Sequence, residues 1–505
     1  MKLTSNYYFS SFFWSTVSRV LNALFGFLAV PILLGLYGKA DYGILALATS
    51  CNGYMQLLDL GMNTGAVKFF SQWKAQNKTA LINRVANTNI TFYFYISLIN
   101  IIFLLILVFF GESWFNITHS QFQILQECLL ILAIFNIINW ETTPFLQLLT
   151  ADKQIGFTMQ MQSIVPLLKF VLIGATLYFQ LSISYYFFFF TLIISLLIIP
   201  YIVKCKKDKL ILSLRPASYW KDFNIVLKFS LSIFALSLFQ ATATQSRPII
   251  LSMFTSDGAG SVADFRILEV VPSFIVMLSS TFSGIFLPKA AEMVGKNDIE
   301  GTKQFAYKWT GITTVVVNIL CFPFILGAKE ALSAYVGPSF DYLSIWLIVW
   351  LLTVLVQMHT TAANSLVLSY GKTKILVIVT AFACLFSMIL NVFLSKYIAV
   401  GSAVLCYFVY VVFIIGLYYL FFYKSLLHLS RRKMFMKFFN PSVIAFLAYL
   451  ICCIIPFDSL DFWEKNRYFF LVVFIIKSCL WLILYLSVIL IFKIIPLDFV
   501  RSGRT

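Results

Sequence analysis

The sequence predicts an all-α protein that crosses a membrane about fourteen times. The 505-residue chain is 61% hydrophobic, only 11% of its residues are charged, and its mean hydropathy is +0.90. Its apolar residues form runs of about 20 or more, the length that one helix needs to cross the hydrocarbon layer. Most of its Lys and Arg residues lie in every second gap between these runs. Together these observations predict a polytopic membrane protein.

Each apolar run is expected to be a helix, because lipid offers no partner to an open backbone and the runs lack the alternation of a barrel strand. The first run is too long for the core of a signal peptide and is expected to be retained. The predicted spans are Phe12–Leu36, Gly43–Val67, Ile90–Phe110, Ile124–Leu149, Phe157–Tyr178, Ile183–Val203, Val226–Phe254, Val262–Leu287, Trp309–Leu326, Tyr342–Tyr370, Ile375–Leu394, Ile398–Phe422, Phe438–Phe457 and Tyr468–Phe492.

The basic residues predict the orientation of these spans. With the N-terminus inside, 26 of the 37 Lys and Arg residues lie in inner loops, five in outer loops and six within spans. Lys and Arg in short loops stay on the cytoplasmic side, and an even number of spans places both termini there. The formal net charge of +17 is therefore expected beside anionic lipid head groups. It does not indicate a nucleic-acid partner.

The longest inner loop divides the predicted spans into groups of six, six and two. The predicted regions are an N-terminal six-helix lobe (1–203), a cytoplasmic linker (204–222), a C-terminal six-helix lobe (223–423), and an extra helix pair with a cytoplasmic tail (424–505).

Four predicted helices carry polar residues at steps of three and four, which places each set on one face of its helix. Such residues either hold membrane helices together or line a polar cavity, and the pattern leaves both interpretations open. The sets are Ser15, Arg19 and Asn22 in the first helix; Asn52, Gln56, Asp59 and Asn63 in the second; Ser237, Gln240, Thr244 and Arg247 in the seventh; and Arg266, Glu269 and Ser273 in the eighth.

Charged residues within the spans are the strongest functional candidates. Each costs about 2.5–3.5 kcal/mol at the bilayer centre, so the deep ones need a partner or a cavity. Arg266 and Glu269 can neutralise each other, and Lys477 can serve as a packing or subunit contact. The candidate substrate-binding cations are Arg19, Lys169, Arg247 and Arg266, and the candidate counter-ions and polar cavity residues are Asn22, Asp59, Glu141, Gln240 and Glu269.

These residue types favour an anionic ligand. A guanidinium stays charged and its fork matches phosphate oxygens, so a cavity with Arg and amide side chains suits a phosphate-linked sugar. Other organic anions also fit. The nine Cys residues are scattered and predict no metal site. No cofactor is expected, and without a long outer loop no catalytic activity is expected.

Three segments resemble a known family. They are "LLDLGMNTGAVKFF" at Leu57–Phe70, "NSLVLSYGKTK" at Asn364–Lys374, and Asn391 followed by "YIAVGSAV" at Tyr397–Val404. The chain resembles polysaccharide flippases of the Wzx type, in the superfamily that also holds the MATE drug exporters and the lipid II flippases. The order of six, six and two spans agrees with this resemblance.

The resemblance implies two MATE-like six-helix lobes around a central cavity in the inner membrane of a bacterium. It implies that an undecaprenyl-pyrophosphate-linked oligosaccharide moves from the cytoplasmic to the outer leaflet by alternating access, for O-antigen in lipopolysaccharide or for another polysaccharide. Polysaccharide polymerase and chain-length proteins are the further partners that it suggests. By position, Arg19 and Arg247 match the family's cavity cations, although Pro248 follows Arg247 where relatives often continue with an acidic-basic pair.

Two other functions stay open at this point. A cation-coupled exporter of drugs or other small molecules would share the fold. A membrane polymerase or ligase for the same glycan is a further alternative, although such enzymes need the catalytic outer loop that this sequence lacks.

Overall fold

The computed structural model describes residues 2–210, 217–371, 374–455 and 466–491, which form helices and connecting turns with no strand among them. The predicted all-α class is confirmed. The chain separates into two compact units, residues 1–263 and 264–505. The predicted lobes, linker and extra helix pair begin and end at residues other than those of these two units, and they stay a prediction.

The first unit contains eight helices and the start of a ninth. They are α1 (Lys2–Met55), α2 (Met62–Ala75), α3 (Thr79–Phe110), α4 (His119–Ala151), α5 (Ile155–Phe179), α6 (Ile183–Ser195), α7 (Ile198–Lys207), α8 (Trp220–Phe254) and the first turns of α9 (Gly258–Gly295).

The second unit contains the rest of α9 and eight further helices. They are α10 (Ile299–Leu326), α11 (Ala328–Tyr335), α12 (Ser344–Met358), α13 (Thr361–Ser369), α14 (Lys374–Ile398), α15 (Val400–Leu417), α16 (Arg431–Ile454) and α17 (Arg467–Ile491). A π-helical segment, Tyr418–Leu426, follows α15.

Eleven helical segments of the described chain are long and apolar enough to cross a membrane. They support a multi-pass membrane protein, whereas the count of about fourteen stays a prediction. One segment covers the first predicted span and part of the second. The segments are Phe13–Asp59, Thr79–Ser113, His119–Ala151, Ile155–Phe179, Ile183–Lys207, Ile299–Leu326, Pro338–Met358, Lys374–Ile398, Val400–Leu426, Arg431–Ile454 and Arg467–Ile491.

The start of the chain differs from the prediction of two spans joined by a loop. The expected loop between them is a kink at Gly38, whose φ of 79° suits glycine. The expected second span is interrupted after α1 by a tight turn, Gln56–Asp59. Leu60 and Gly61 are left-handed, and α2 then begins at Met62. A Cβ on Gly61 would lie 2.8 Å from the Ser230 carbonyl oxygen, so this break also needs glycine for close packing against α8.

Polar contacts bring the basic loops of the first unit to one end. Lys74 in the last turn of α2 pairs with Asp152 after α4. Gln154 donates hydrogen bonds of 2.6 Å to Asp152 and to Asp208 after α7, and the bond from Gln154 lowers the pKa of the Asp208 carboxyl. Arg84 pairs with Asp222 at 3.0 Å. The sequence assigned all these segments to the same side of the membrane.

The loops poor in basic residues meet one another as well. The Asn116 N–H donates to the Ser252 carbonyl at 2.8 Å, and the Gly258 N–H donates to the Asn116 carbonyl at 3.0 Å. The Tyr37 hydroxyl donates to the Leu181 carbonyl at 2.9 Å. The loops of this unit are thus sorted by charge, while the side that faces the cytoplasm stays a prediction.

A buried ion pair joins α17 to α11 within the second unit. Lys477 of α17 contacts Glu330 of α11 at 2.5 Å, and both side chains are less than 15% exposed. One turn further, Trp481 stacks on Phe322 of α10 at 5.3 Å and donates to the Ala445 carbonyl of α16. Lys477 is therefore a packing contact within the chain.

We predict that Lys477→Met destabilises the protein by about 3 kcal/mol, because it leaves the Glu330 carboxylate buried without its cation. The double variant Lys477→Met/Glu330→Met removes both charges and should recover most of that loss. Thermal unfolding in detergent measures both. Equal melting temperatures for the wild type and the single variant would contradict the importance of this pair.

Candidate functional site

The first unit contains a polar cavity of about 340 Å³. Its lining comes from the region of the helix break and from the middle of α4: Asn52, Gln56, Asp59, Asn63, Asn136, Asn139, Trp140, Thr143 and Leu146. The whole polar set predicted for the second helix lies here, on both sides of the break. Within the described lining, Asp59 alone carries a charge, and the other polar groups are amides, a hydroxyl and an indole.

A chain of hydrogen bonds holds Asp59 in place. The Tyr93 hydroxyl of α3 donates to Asp59 Oδ1 at 2.5 Å, and the Asn63 backbone N–H donates to Oδ2 at 3.2 Å. Gln147 Nε2 donates to the Tyr93 hydroxyl at 2.8 Å, and Asn89 Nδ2 donates to Gln147 Oε1 at 2.7 Å. Asn89 and Gln147 are fully buried, so these bonds satisfy polar groups that would otherwise be costly to bury.

The α4 wall of the cavity is also held by neighbouring helices. Asn100 donates to Asn136 Oδ1 at 2.9 Å, and Asn136 donates to the Ser97 carbonyl at 2.7 Å. The Ser195 hydroxyl donates to Asn139 Oδ1 at 2.8 Å. The amide planes of both lining residues are therefore fixed before any ligand arrives.

Sequence reasoning missed the α4 residues of the cavity. Asn136, Asn139 and Thr143 follow steps of three and four, the same spacing that identified the polar face of the second helix. This spacing predicts a polar face of α4, whereas the charge of Glu141 made that residue the predicted site residue of this helix. Glu141 is half-buried and does not belong to the lining.

Arg19 and Asn22 lie on α1 outside the cavity lining, and both are exposed. Asn22 Nδ2 donates to the Ser18 carbonyl, one turn back, at 2.8 Å. Gln240 of α8 is exposed as well. The structure thus places these three side chains on the surface of the first unit.

Arg247 lies buried within α8, and its contact explains the unusual Pro248. Proline has no N–H, so the Thr244 carbonyl loses its usual helical donor at position 248. Arg247 Nε donates to this same carbonyl at 3.2 Å. The bond uses one of the five N–H donors of a guanidinium. It gives the Thr244 carbonyl a donor in place of the N–H that Pro248 lacks.

Lys169 lies in an aromatic environment between α5, α1 and α6. Its Nζ is 3.8 Å from the ring centre of Phe190 and 5.6 Å from that of Phe25, and the side chain is 9% exposed. Ring faces attract a cation electrostatically. The structure therefore gives Lys169 a helix-packing environment rather than a place in the polar cavity.

Arg266 and Glu269 form an ion pair at 2.5 Å on α9 of the second unit. Both are partly exposed, and the pairing follows the predicted spacing of three residues. Of the nine predicted site residues, Asp59 belongs to the lining described here, and the binding role of the others stays a prediction. No group of three or more metal-ligating His, Cys, Asp or Glu side chains occurs in the described ranges.

Comparison with protein-family models and with curated protein sequences gives no match. Solved structures do match. Lipid II flippase MurJ in an inward closed conformation aligns over 96% of this chain and 98% of its own, with 15% identity and a TM-score of 0.69.

The chain has a MurJ/MATE-like fold. An inward-facing MATE multidrug transporter aligns over 80% of this chain and 95% of its own, with 14% identity and a TM-score of 0.61. A point variant of the Vibrio cholerae MATE transporter VcmN aligns over 87% of this chain and 98% of its own, with 12% identity and a TM-score of 0.55. Identities this low establish the fold alone. They agree with the predicted MATE-like fold, and the Wzx-type assignment stays a proposal.

We predict that Tyr93→Phe lowers the free energy of unfolding by about 1–3 kcal/mol, because Asp59 loses a donor and buried Gln147 loses an acceptor. Tyr95→Phe is the matched control, since Tyr95 is 52% exposed on the same helix and should change stability by less than about 0.5 kcal/mol. Thermal unfolding in detergent compares the two. Equal losses would mean that the hydrogen-bond chain does not stabilise this unit.

Proposed function

We propose that this protein is a flippase for undecaprenyl-pyrophosphate-linked oligosaccharide repeat units. It would move them from the cytoplasmic to the outer leaflet of a bacterial inner membrane by alternating access, for O-antigen or another surface polysaccharide. Both termini would be cytoplasmic, and a glycan polymerase would use the product. The protein itself would transport the lipid rather than catalyse a reaction on it.

The observation that carries the proposal is the nearly complete alignment with a lipid flippase. The MurJ structure accounts for 96% of this chain, whereas the inward-facing MATE structure accounts for 80%. The additional length aligned with MurJ favours a lipid-linked substrate over a free small molecule.

The buried and exposed cations of the first unit add chemical support. Arg19 is exposed on α1, whereas Arg247 is buried on α8, and an Arg fork suits the oxygens of a pyrophosphate. Because one Arg247 donor already serves the Thr244 carbonyl, its guanidinium has a fixed position on the helix. Fixed donors lose little freedom when a ligand binds.

A drug exporter is the second candidate, and the MATE structures favour it. The lining of the cavity argues for the flippase instead. Sites for drug-sized molecules are mostly apolar and aromatic, whereas this cavity presents one aromatic ring and a majority of amide and hydroxyl groups. Unchanged surface glycan together with altered drug sensitivity in a deletion strain would favour the exporter.

We predict that Arg19→Gln and Arg247→Gln each reduce surface polysaccharide at least tenfold, because glutamine removes the charge that binds pyrophosphate. Glutamine at position 247 retains an N–H donor for the Thr244 carbonyl, so the helix contact can persist. Immunoblots of surface glycan and of the protein in isolated membranes measure the effect. Arg432→Gln, at an exposed basic position, is the control that should change neither quantity.

Normal polysaccharide in both variants, at normal protein abundance, would contradict the pyrophosphate role of these cations. A loss of protein from the membrane would instead identify the substituted residue as structural and would also count against its proposed role.

A further inference from the structure

The chemistry of the polar cavity differs from that expected of a pyrophosphate site. No Lys or Arg belongs to its described lining, and its one charged residue, Asp59, is an acid. A pyrophosphate would be repelled by this carboxylate and would find no Lys or Arg among the described lining residues. The lining instead offers amides and a hydroxyl, which both donate and accept hydrogen bonds. That combination suits a neutral ligand with several hydroxyl groups.

The second feature is the indole of Trp140. Its ring lies parallel to the ring of Tyr93, with centres 5.8 Å apart and planes 25° apart, and Trp140 is 9% exposed. One side is thus supported by packing while the residue borders the cavity. A sugar ring has a C–H face that packs on an aromatic ring and an edge of hydroxyls that needs hydrogen bonds. The lining includes both an aromatic residue and hydrogen-bonding groups.

The polar groups are arranged in advance. Asp59, Asn136 and Asn139 each receive a hydrogen bond from a neighbouring helix. The Ser195 hydroxyl takes one of the two lone pairs of Asn139 Oδ1, so a ligand can use the other lone pair and the NH₂ group. Preformed donors and acceptors reduce the ordering cost of binding, which matters for sugars because they exchange hydrogen bonds with water for similar bonds with protein.

The size of the cavity limits its ligand. Small-molecule pockets range from about 300 to about 1,000 Å³, and this one measures about 340 Å³. The volume accommodates a single sugar ring rather than a complete oligosaccharide repeat unit. The cavity would therefore bind one sugar of a longer head group.

We propose that this cavity is a glycan subsite, which binds one sugar ring of the transported lipid between Trp140 and the amide groups of α4 and the helix break. The inference rests on the proposed function and extends it: the Arg residues bind the pyrophosphate, and the cavity selects the sugar. Thr143 and Asn139 are specificity-determining residues under this proposal.

Native mass spectrometry of the full-length protein in detergent tests the proposal. The probes are bare undecaprenyl pyrophosphate, the same lipid with the repeat unit of the strain that carries the gene, and the free monosaccharides of that unit. Wild-type protein should bind the glycan-bearing lipid about tenfold more tightly than the bare carrier. Thr143→Val, an isosteric change that removes a hydroxyl, and Asn139→Ala should each abolish most of this difference and leave the affinity for the bare carrier unchanged.

The matched control is Thr142→Val. Thr142 adjoins Thr143 on α4, donates to the Ile138 carbonyl of its own helix, and does not line the cavity. It should retain the full preference for the glycan-bearing lipid. Retention of a fold in each variant is measured by its melting temperature.

The outcomes separate this inference from the proposed function. Equal binding of the bare and glycan-bearing lipids by wild-type protein overturns the subsite and leaves the flippase standing. Binding of a free monosaccharide that Thr143→Val weakens, without binding of either lipid, supports the subsite and contradicts the flippase. Stabilisation by Na⁺ over K⁺ that Thr143→Val removes, without any response to sugar, overturns the subsite in favour of a cation site.

Discussion

The structure depends on one constraint, which is that a polar group inside the hydrocarbon layer must find a partner or water. A charged side chain at the bilayer centre costs about 2.5–3.5 kcal/mol, and a buried unsatisfied amide or hydroxyl costs about 1–3 kcal/mol. The chain meets this constraint by several means. Lys477 is paired with Glu330, Lys169 lies against aromatic rings, and Arg247 donates to the carbonyl that Pro248 leaves without a helical donor.

The polar residues of the second helix meet the same constraint differently. Asn52, Gln56, Asp59 and Asn63 line a cavity with residues of α4. The break at Leu60 and Gly61 makes this arrangement possible, because it redirects the chain while the Asn63 N–H donates a hydrogen bond to the Asp59 carboxylate. Polar side chains that could have joined two helices instead border a space large enough for a ligand. The proposed glycan subsite is built on that difference.

Local sequence patterns predicted much of this fold. Long apolar runs predicted helices, and the distribution of Lys and Arg predicted which loops meet, as the contact between Lys74 and Asp152 illustrates. The steps of three and four predicted that Asp59 shares a face with Asn52 and Gln56. These features depend on helical periodicity and on loop charge, which a single sequence contains.

The sequence did not reveal the remaining features, most of which depend on contacts between distant segments. The kink at Gly38 replaced an expected loop, because one left-handed glycine is enough to turn the helix. Lys169 was predicted as a cavity cation, and its contacts with the rings of Phe25 and Phe190, from two other helices, could not be predicted from spacing. The α4 wall was missed because its amides are neutral, and only packing shows that they face Asp59.

The central claim is that the polar cavity of the first unit contains water and is open to ligands while the protein is in the membrane. The most direct measurement is thiol labelling in a background with the exposed Cys453 and Cys479 replaced by serine. A charged thiol reagent reacts with the thiolate, which forms in water. The account predicts rapid labelling of Thr143→Cys and little labelling of Ile134→Cys, a position 68% exposed on the same helix that is expected to face lipid. Equal, slow labelling at both positions would contradict the account.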